Sequence, residues 1–309
     1  MFFLRLLSRL PLSVLYAFSD LLFILSYYIA RYRRKLIRRN LQNSFPDKNE
    51  KELRAIEKEF FSNLCDYAVE SLKLITVPRD ELSRRMLFKD LSAVEAFRAS
   101  NQSILFLASH QFNWEWLLVS ASVNFPMNID FVYQPVSNKF INALTLSMRM
   151  RFGAYPIRRN EVARELAKRK HILRGIATVA DQYPGYGSDK KFITRFLNQE
   201  TAFFMGTNQL ALLSQYPAVY YKPKKIRRGY YLAVPVIVAI PPYPKESQIV
   251  IEKYVQHVEE AINEYPPGWL WSHNRWKTRH LGNNVAIDDA AADKKGSQFG
   301  ASGIHTESI

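Results

Sequence analysis

The chain has 309 residues, with 43 Lys+Arg against 28 Asp+Glu, a formal net charge of +15 and 48% hydrophobic residues. That composition excludes a disordered chain, a collagen-like repeat and an acidic tail, and the single cysteine, Cys65, excludes a disulfide within the chain. A mean hydropathy of −0.21 excludes a polytopic membrane protein, and the excess positive charge points to nucleic acid, an anionic membrane or an acidic protein as partner.

Residues 12–30 are nearly all apolar, and a run of about 20 residues is the minimum that crosses a bilayer. Arg5 and Arg9 precede it; Arg31, Arg33, Arg34, Lys35, Arg38 and Arg39 follow it. The asymmetry predicts that the C-terminal flank, and the body of the protein, lies on the cytoplasmic side. No small-residue cleavage site follows, which argues against a secretory signal. Asp20 near the middle is costly in a true span. An interfacial helix with its arginines on lipid phosphates is the rival reading, and an amphipathic helix packed on its own domain is a third.

Leu53, Ile56, Phe60, Leu64, Leu72 and Ile75 recur at helical spacing, with Asn49 or Asp47 placed to cap that helix and Pro78 after it. Strands and helices then alternate. Residues 104–108 read as a strand buried on both faces, 114–122 as a helix, 129–133 as a strand and 140–152 as a helix. Residues 161–174 read as a charged helix, 176–180 as a second buried strand, and 203–214 as a helix. Two strands, 218–221 and 230–240, and a helix over 249–264 complete the pattern. The alternation predicts an α/β fold with a central mixed sheet flanked by helices. The expected organisation is an anchor helix with its basic flank over 1–45, one domain over 46–281, and a small polar tail over 282–309.

Of the six histidines, only His110 directly follows a buried strand. In open α/β sheets, reactive groups collect at the carboxyl ends of strands. Glu115 falls in the first turn of the next helix, placed to orient the ring and offset an imidazolium charge. The plainer alternative is a hydrogen-bonded histidine at a helix start. The spacing is not that of zinc enzymes, so no metal is expected. Asp181 ends the second buried strand, either as a second carboxylate in the same cleft or as a turn former before Pro184-Gly185. Arg158 and Arg159 follow a further short strand, as phosphate ligands or as a solvated pair. The 269–277 segment mixes tryptophans with bases. It reads as a nucleic-acid surface, a headgroup-level belt, or core tryptophans under a basic rim. Residues 222–228 read as a basic hairpin loop that docks an acidic carrier or stays solvated. Cys65 reads as a core residue.

The segments SHQFNWEW (109–116), IRRN (157–160), ADQYPG (180–185), TAFFMGTNQLALL (201–213) and WLWSHNRWKTR (269–279) occur in this order. On them the chain resembles the bacterial lipid A late acyltransferases of the lysophospholipid acyltransferase superfamily, over roughly residues 1–281. One departure is Asn274-Arg275, where relatives often carry two adjacent arginines after the late histidine. The resemblance implies an enzyme on the cytoplasmic face of the inner membrane. It would move an acyl chain from acyl carrier protein to a hydroxyl of a lipid A precursor, without a cofactor. It implies His110 and Glu115 as the catalytic pair and Arg159 and Asp181 as cleft residues. Asn113, Arg158, Gln182 and Arg275 join them as expected substrate contacts. A neutral imidazole would take the acceptor's proton as it attacks the thioester, a contribution of about 10²–10⁴-fold. A backbone N–H, Asn113 or Arg159 are candidate oxyanion donors. The expected partners are acyl carrier protein, a phosphorylated lipid acceptor and an anionic membrane, and not nucleic acid. Two alternatives stand beside this: acylation of another membrane lipid, and a nonenzymatic basic protein in which His110 is dispensable.

Overall fold

The computed structural model describes residues 2–185 and 190–277. The expected tail over 282–309 lies outside the described residues. The N-terminal elements are helices α1 (Phe2–Ser8), α2 (Leu12–Ile24), α3 (Arg34–Ser44), α4 (Glu50–Lys73) and α5 (Arg79–Arg85). Asn49 caps α4: its side chain accepts from the Lys51 and Glu52 amides, and Glu52 returns a bond to the Asn49 amide.

Residues Leu12–Ile29 form a continuous helix, π-helical in its last turn, long and apolar enough to cross a membrane by length and composition. One face packs on α4. Leu12, Leu15, Ser19 and Tyr27 are buried there, and Ser19 Oγ donates to Asp66 Oδ1 at 2.7 Å. The other face exposes Phe18, Leu21, Leu22 and Ile24. Asp20 is paired with Arg228 at 2.7 Å, and the same guanidinium holds Asp66 at 2.6 Å. The inner side is thus the amphipathic packing considered above, and the outer side is an unpartnered apolar stripe beside the arginines. Residues up to Trp276, this helix included, form one compact unit.

The remaining elements are β1 (Met86–Phe88), α6 (Ser92–Ala99), β2 (Ile104–Ala108), α7 (Trp114–Asn124), β3 (Asn128–Tyr133), α8 (Lys139–Arg149) and β4 (Tyr155–Arg158). They continue as α9 (Val162–Lys168), β5 (Arg174–Val179), β6 (Lys191–Phe196), β7 (Gln199–Phe204), α10 (Gly206–Ser214), β8 (Ala218–Arg227), β9 (Tyr230–Ala239) and α11 (Ile249–Glu264). Seven strands form a mixed sheet in the order β1-β9-β8-β2-β5-β3-β4, antiparallel at β8–β9 and parallel elsewhere. β6 and β7 form a separate antiparallel hairpin.

β2 shows why its sequence is a continuous apolar run. Leu105 and Leu107 enter the core on the α10–α11 side, whereas Ile104 and Phe106 enter the core on the α7 side. Three expectations change. The charged stretch 161–174 is helical only over α9, because Arg174 opens β5 with its side chain buried against Asp130 of β3 at 3.0 Å. That long-range ion pair outweighs the local pattern. The expected helix from 203 begins at Gly206, because 191–204 form the β6–β7 hairpin. Its turn residues Leu197 and Asn198 both have positive φ, without the glycine that usually marks such a turn. The expected loop 222–228 is mostly strand, closed by Arg228-Gly229 with Gly229 at φ 72°.

Candidate active site

β2 and β5 are neighbouring parallel strands, so their carboxyl ends lie side by side. His110 leaves β2 and Asp181 leaves β5, and the two meet. Asp181 Oδ1 lies 2.6 Å from His110 Nδ1, and its Oδ2 accepts the His110 amide at 2.8 Å. Trp269 Nε1 donates to the same Oδ2 at 2.8 Å. Asp181 is buried, while the His110 side chain keeps 17% of its surface exposed. Burial alone would raise the Asp181 carboxyl. The opposing charge of His110 and the bonds from its ring, from Trp269 and from the His110 amide outweigh that and hold it below the usual carboxylate range. An ionised Asp181 accepts from Nδ1–H, which leaves Nε2 as the basic nitrogen.

The strand-to-helix turn is braced from the C-terminal segment. The Phe112 amide donates to the Gly268 carbonyl at 2.7 Å, and the Leu270 amide donates to the His110 carbonyl at 3.1 Å. Phe112 has φ 49°, a left-handed conformation that a bulky residue holds only when its surroundings fix it. Its ring lies against Gly268, where an added Cβ would come within 2.7 Å of Phe112 Cζ. Trp269 and Trp271 are buried, which settles the late segment as core tryptophans rather than a headgroup belt or a stacking surface. His273 Nε2 accepts the Tyr183 amide at 3.0 Å and so ties this segment to the loop after Asp181.

Glu115 does not hold the His110 ring. Its two oxygens take a bidentate contact from Arg149 of α8 at 2.6 and 2.8 Å, and Trp114 Nε1 adds a bond at 3.2 Å. The carboxylate in contact with His110 Nδ1 is that of Asp181, because β5 lies beside β2 and delivers it there. Glu115 and His110 still line one cavity, with Trp114 and Arg149.

Two further expectations are corrected. Asn113 is buried and committed to structure: its Oδ1 caps α7 by accepting the Trp116 amide at 2.9 Å, and its Nδ2 donates to Glu70 at 2.8 Å. Arg275 is 1% exposed, donates to the Ala202 carbonyl at 2.6 Å and stacks over Phe203. Burial pushes its guanidinium down to about 10 against the raising field of Asp181. It fastens the β6–β7 hairpin and is withdrawn from solvent. Arg158 and Arg159 are exposed at the end of β4, with Arg159 over the Phe204 ring at 4.9 Å. β5 and β3 separate them from the strand of His110, a distance of about 14 Å at ordinary strand spacing. Gln182 is half-buried beside Asp181. In the hairpin at 222–228, Lys222 pairs with Glu264, Lys225 bonds Asn63 at 2.7 Å, and Arg228 is held by Asp20 and Asp66. Its five cations thus face three carboxylates, Glu264, Asp20 and Asp66, and Arg227 lies over the Tyr230 ring.

Sequence reasoning missed the parts that come from elsewhere: Trp269 on Asp181, Arg149 on Glu115, and Glu70 on Asn113. No spacing signal could have found them, since each partner is more than thirty positions away.

The cavity at His110 lies between the α7 side of the sheet and α7 itself and has a volume of about 80 Å³. Its walls are mainly hydrocarbon, among them Leu117, Leu118, Ala121, Phe131 and Val132. A histidine base at the mouth of an apolar channel is suited to moving a proton beside a long hydrocarbon chain. The lipid A biosynthesis lauroyltransferase of Escherichia coli (strain K12) is 24% identical over 277 residues, covering 89% of each chain. The family model described as bacterial lipid A biosynthesis acyltransferase matches residues 1–278, and the chain belongs to that family of acyltransferases.

Proposed function

We propose that this acyltransferase moves an acyl chain from acyl carrier protein to a hydroxyl of a phosphorylated lipid A precursor, with His110 as general base. The observation that carries the reading is the His110–Asp181 pair at the mouth of the apolar channel. Nε2 takes the hydroxyl proton as the oxygen attacks the thioester carbonyl, and Asp181 offsets the charge on the imidazolium. The tetrahedral intermediate then collapses, and the departing carrier thiolate receives that proton. The channel holds the acyl chain. Arg158 and Arg159 suit a phosphate at the far side of a large acceptor rather than the reacting carbonyl.

The enzyme works at the cytoplasmic face of the inner membrane. Support comes from the exposed apolar stripe of α2 beside Arg31, Arg33 and Arg39, and from the pairing of Asp20 with Arg228. A helix fastened to its domain by a mid-length ion pair fits a position in the interface better than a lone span.

The test is transfer in vitro, with labelled acyl carrier protein and a lipid A precursor, joined to mass spectrometry of lipid A from cells lacking the gene. The expected results are labelled product, abolished by His110→Ala, and lipid A lacking one secondary acyl chain. Unchanged lipid A and transfer to a lysophospholipid instead would overturn the acceptor assignment.

A further inference from the structure

The cavity that His110 lines can be followed inward along two elements. On β2, side chains alternate between faces, so Phe106, Ala108 and His110 follow one another on the α7 side. From His110 to Phe106 is four residues, about 13 Å of strand. On α7, the stripe Trp114, Leu118, Ala121 and Phe125 recurs at helical spacing along the same channel. From Trp114 to the C-cap Phe125 is about 16 Å of helix. Both elements therefore lead from the polar mouth to the same group of rings.

That group is Phe88 of β1, Phe106, Phe125 and Tyr221 of β8, all of which line the cavity. The Phe88–Phe125 centroids are 4.6 Å apart, Phe106–Phe125 4.9 Å, Phe106–Tyr221 5.4 Å and Phe125–Tyr221 5.4 Å. Three of these pairs pack edge to face and Phe125–Tyr221 is tilted, and rings this close leave no gap for a methylene to pass. Small residues open the path before the rings: Ala121 on α7 and Ala177 on β5, the register partner of Phe106. Gly175 lies one pleat further along the same β5 face. A Cβ there would sit 2.0 Å from Phe106 Cε2, so the absence of a side chain lets the Phe106 ring lie against the β5 backbone.

We propose that these four rings are the chain-length stop for the acyl donor, with Phe125 as the end wall and Ala121 as the residue that keeps the channel open to it. The assignment rests on the acyl-transfer reading above. It commits the channel to the donor chain because His110, where the thioester carbonyl reacts, lines it beside Glu115 and Arg149, while most of its other walls are hydrocarbon. A chain that meets the rings must displace packed side chains. A single methylene in such a pocket discriminates by about 10–200-fold.

The test uses saturated acyl carrier protein donors of graded length with one acceptor, and separately the binding of free saturated fatty acids of graded length in the absence of acceptor. The expected wild-type profile has a sharp upper limit. Phe125→Ala moves the optimum to longer chains, and Ala121→Leu moves it to shorter ones, by at least two carbons each. Phe125→Leu, with a smaller loss of volume, serves if the alanine variant does not fold, and is expected to shift the optimum in the same direction by less. Opposite shifts in both transfer and fatty-acid binding support the stop. Folded variants that keep the wild-type optimum, or that shift together, overturn it. A protein that binds fatty acids with a ring-dependent limit but transfers none would instead sink the acyl-transfer reading and leave the channel intact.

Discussion

At the scale of residues, Asp181 and Glu115 divide what one carboxylate was expected to do. Asp181 bonds both the ring and the amide of His110, whereas Glu115 spends its oxygens on Arg149. Asp181→Asn should lower kcat by about 10²-fold or more with little change in acceptor KM, because the base loses its orientation and its counter-charge. Steady-state kinetics on the two substitutions side by side checks this: an Asp181→Asn enzyme with wild-type kcat would return the orienting role to Glu115. Glu115→Ala should instead act through stability. It strands a half-buried guanidinium and should cost about 3 kcal/mol, the low end for a broken buried pair because Arg149 keeps some solvent contact. Adding Arg149→Ala should recover part of that loss in urea unfolding. A double variant as unstable as the sum of the singles would show that the pair is not coupled. His110 was readable from the sequence because its place after a buried strand is a local property. Its partner was not, since His110 and Asp181 are 71 positions apart and meet only through strand order.

At the scale of elements, α2 has two faces with different work. Its buried side is pinned to α4 by Ser19, Asp66 and the Arg228 bridge. Its outer side carries Phe18, Leu21, Leu22 and Ile24. Leu21→Asp with Leu22→Asp should weaken binding to vesicles of anionic lipid several-fold while leaving unfolding within about 0.5 kcal/mol of wild type, as exposed substitutions do. Vesicle sedimentation beside a thermal melt checks it, and unaltered sedimentation would remove this face from the membrane contact. Element boundaries followed the strength of the local signal. The α4 cap and the limits of α11 were legible because an Asn-x-x-Glu start and a long apolar stripe are unambiguous. The β6–β7 hairpin was not, because its turn is Leu197-Asn198 and its pairing is between strands too short to show a period.

At the scale of the whole molecule, one buried carboxyl ties α2 to the start of α7. Glu70 of α4 accepts from Tyr16 of α2, Tyr231 of β9 and Asn113 at the start of α7. Burial raises it to about 7, more than the three hydrogen bonds lower it, and the charge of nearby Asp66 adds to the rise. The folded protein therefore binds this proton more tightly than the unfolded chain does. Between the ordinary carboxylate value and about pH 7, stability should fall as pH rises, and above that the Glu70 contribution should level off. Glu70→Gln should flatten this part of the profile. Urea midpoints from about pH 5 to about pH 8 on both proteins check it, and identical slopes would show that Glu70 does not titrate in that window.

The sequence by itself determined the strand–helix alternation, the placement of His110 and Asp181 at strand ends, and membership of an acyltransferase family carried by ordered motifs. These are properties of a few adjacent residues: an apolar run, a polar group at its end, a helix start. Tertiary structure decided which carboxylate contacts His110, that Asn113 and Arg275 are buried with partners in the fold, that Trp269 and Trp271 are core, and that Lys222 and Arg228 meet acids of distant elements. Each depends on which element lies beside which. The insertion of β5 between β2 and β3 places Asp181 at the imidazole, and the return of residues 268–270 across the His110 turn brings Trp269 to Asp181. Contacts of that range leave no period or spacing in the chain, so they become visible only when the strands are in order.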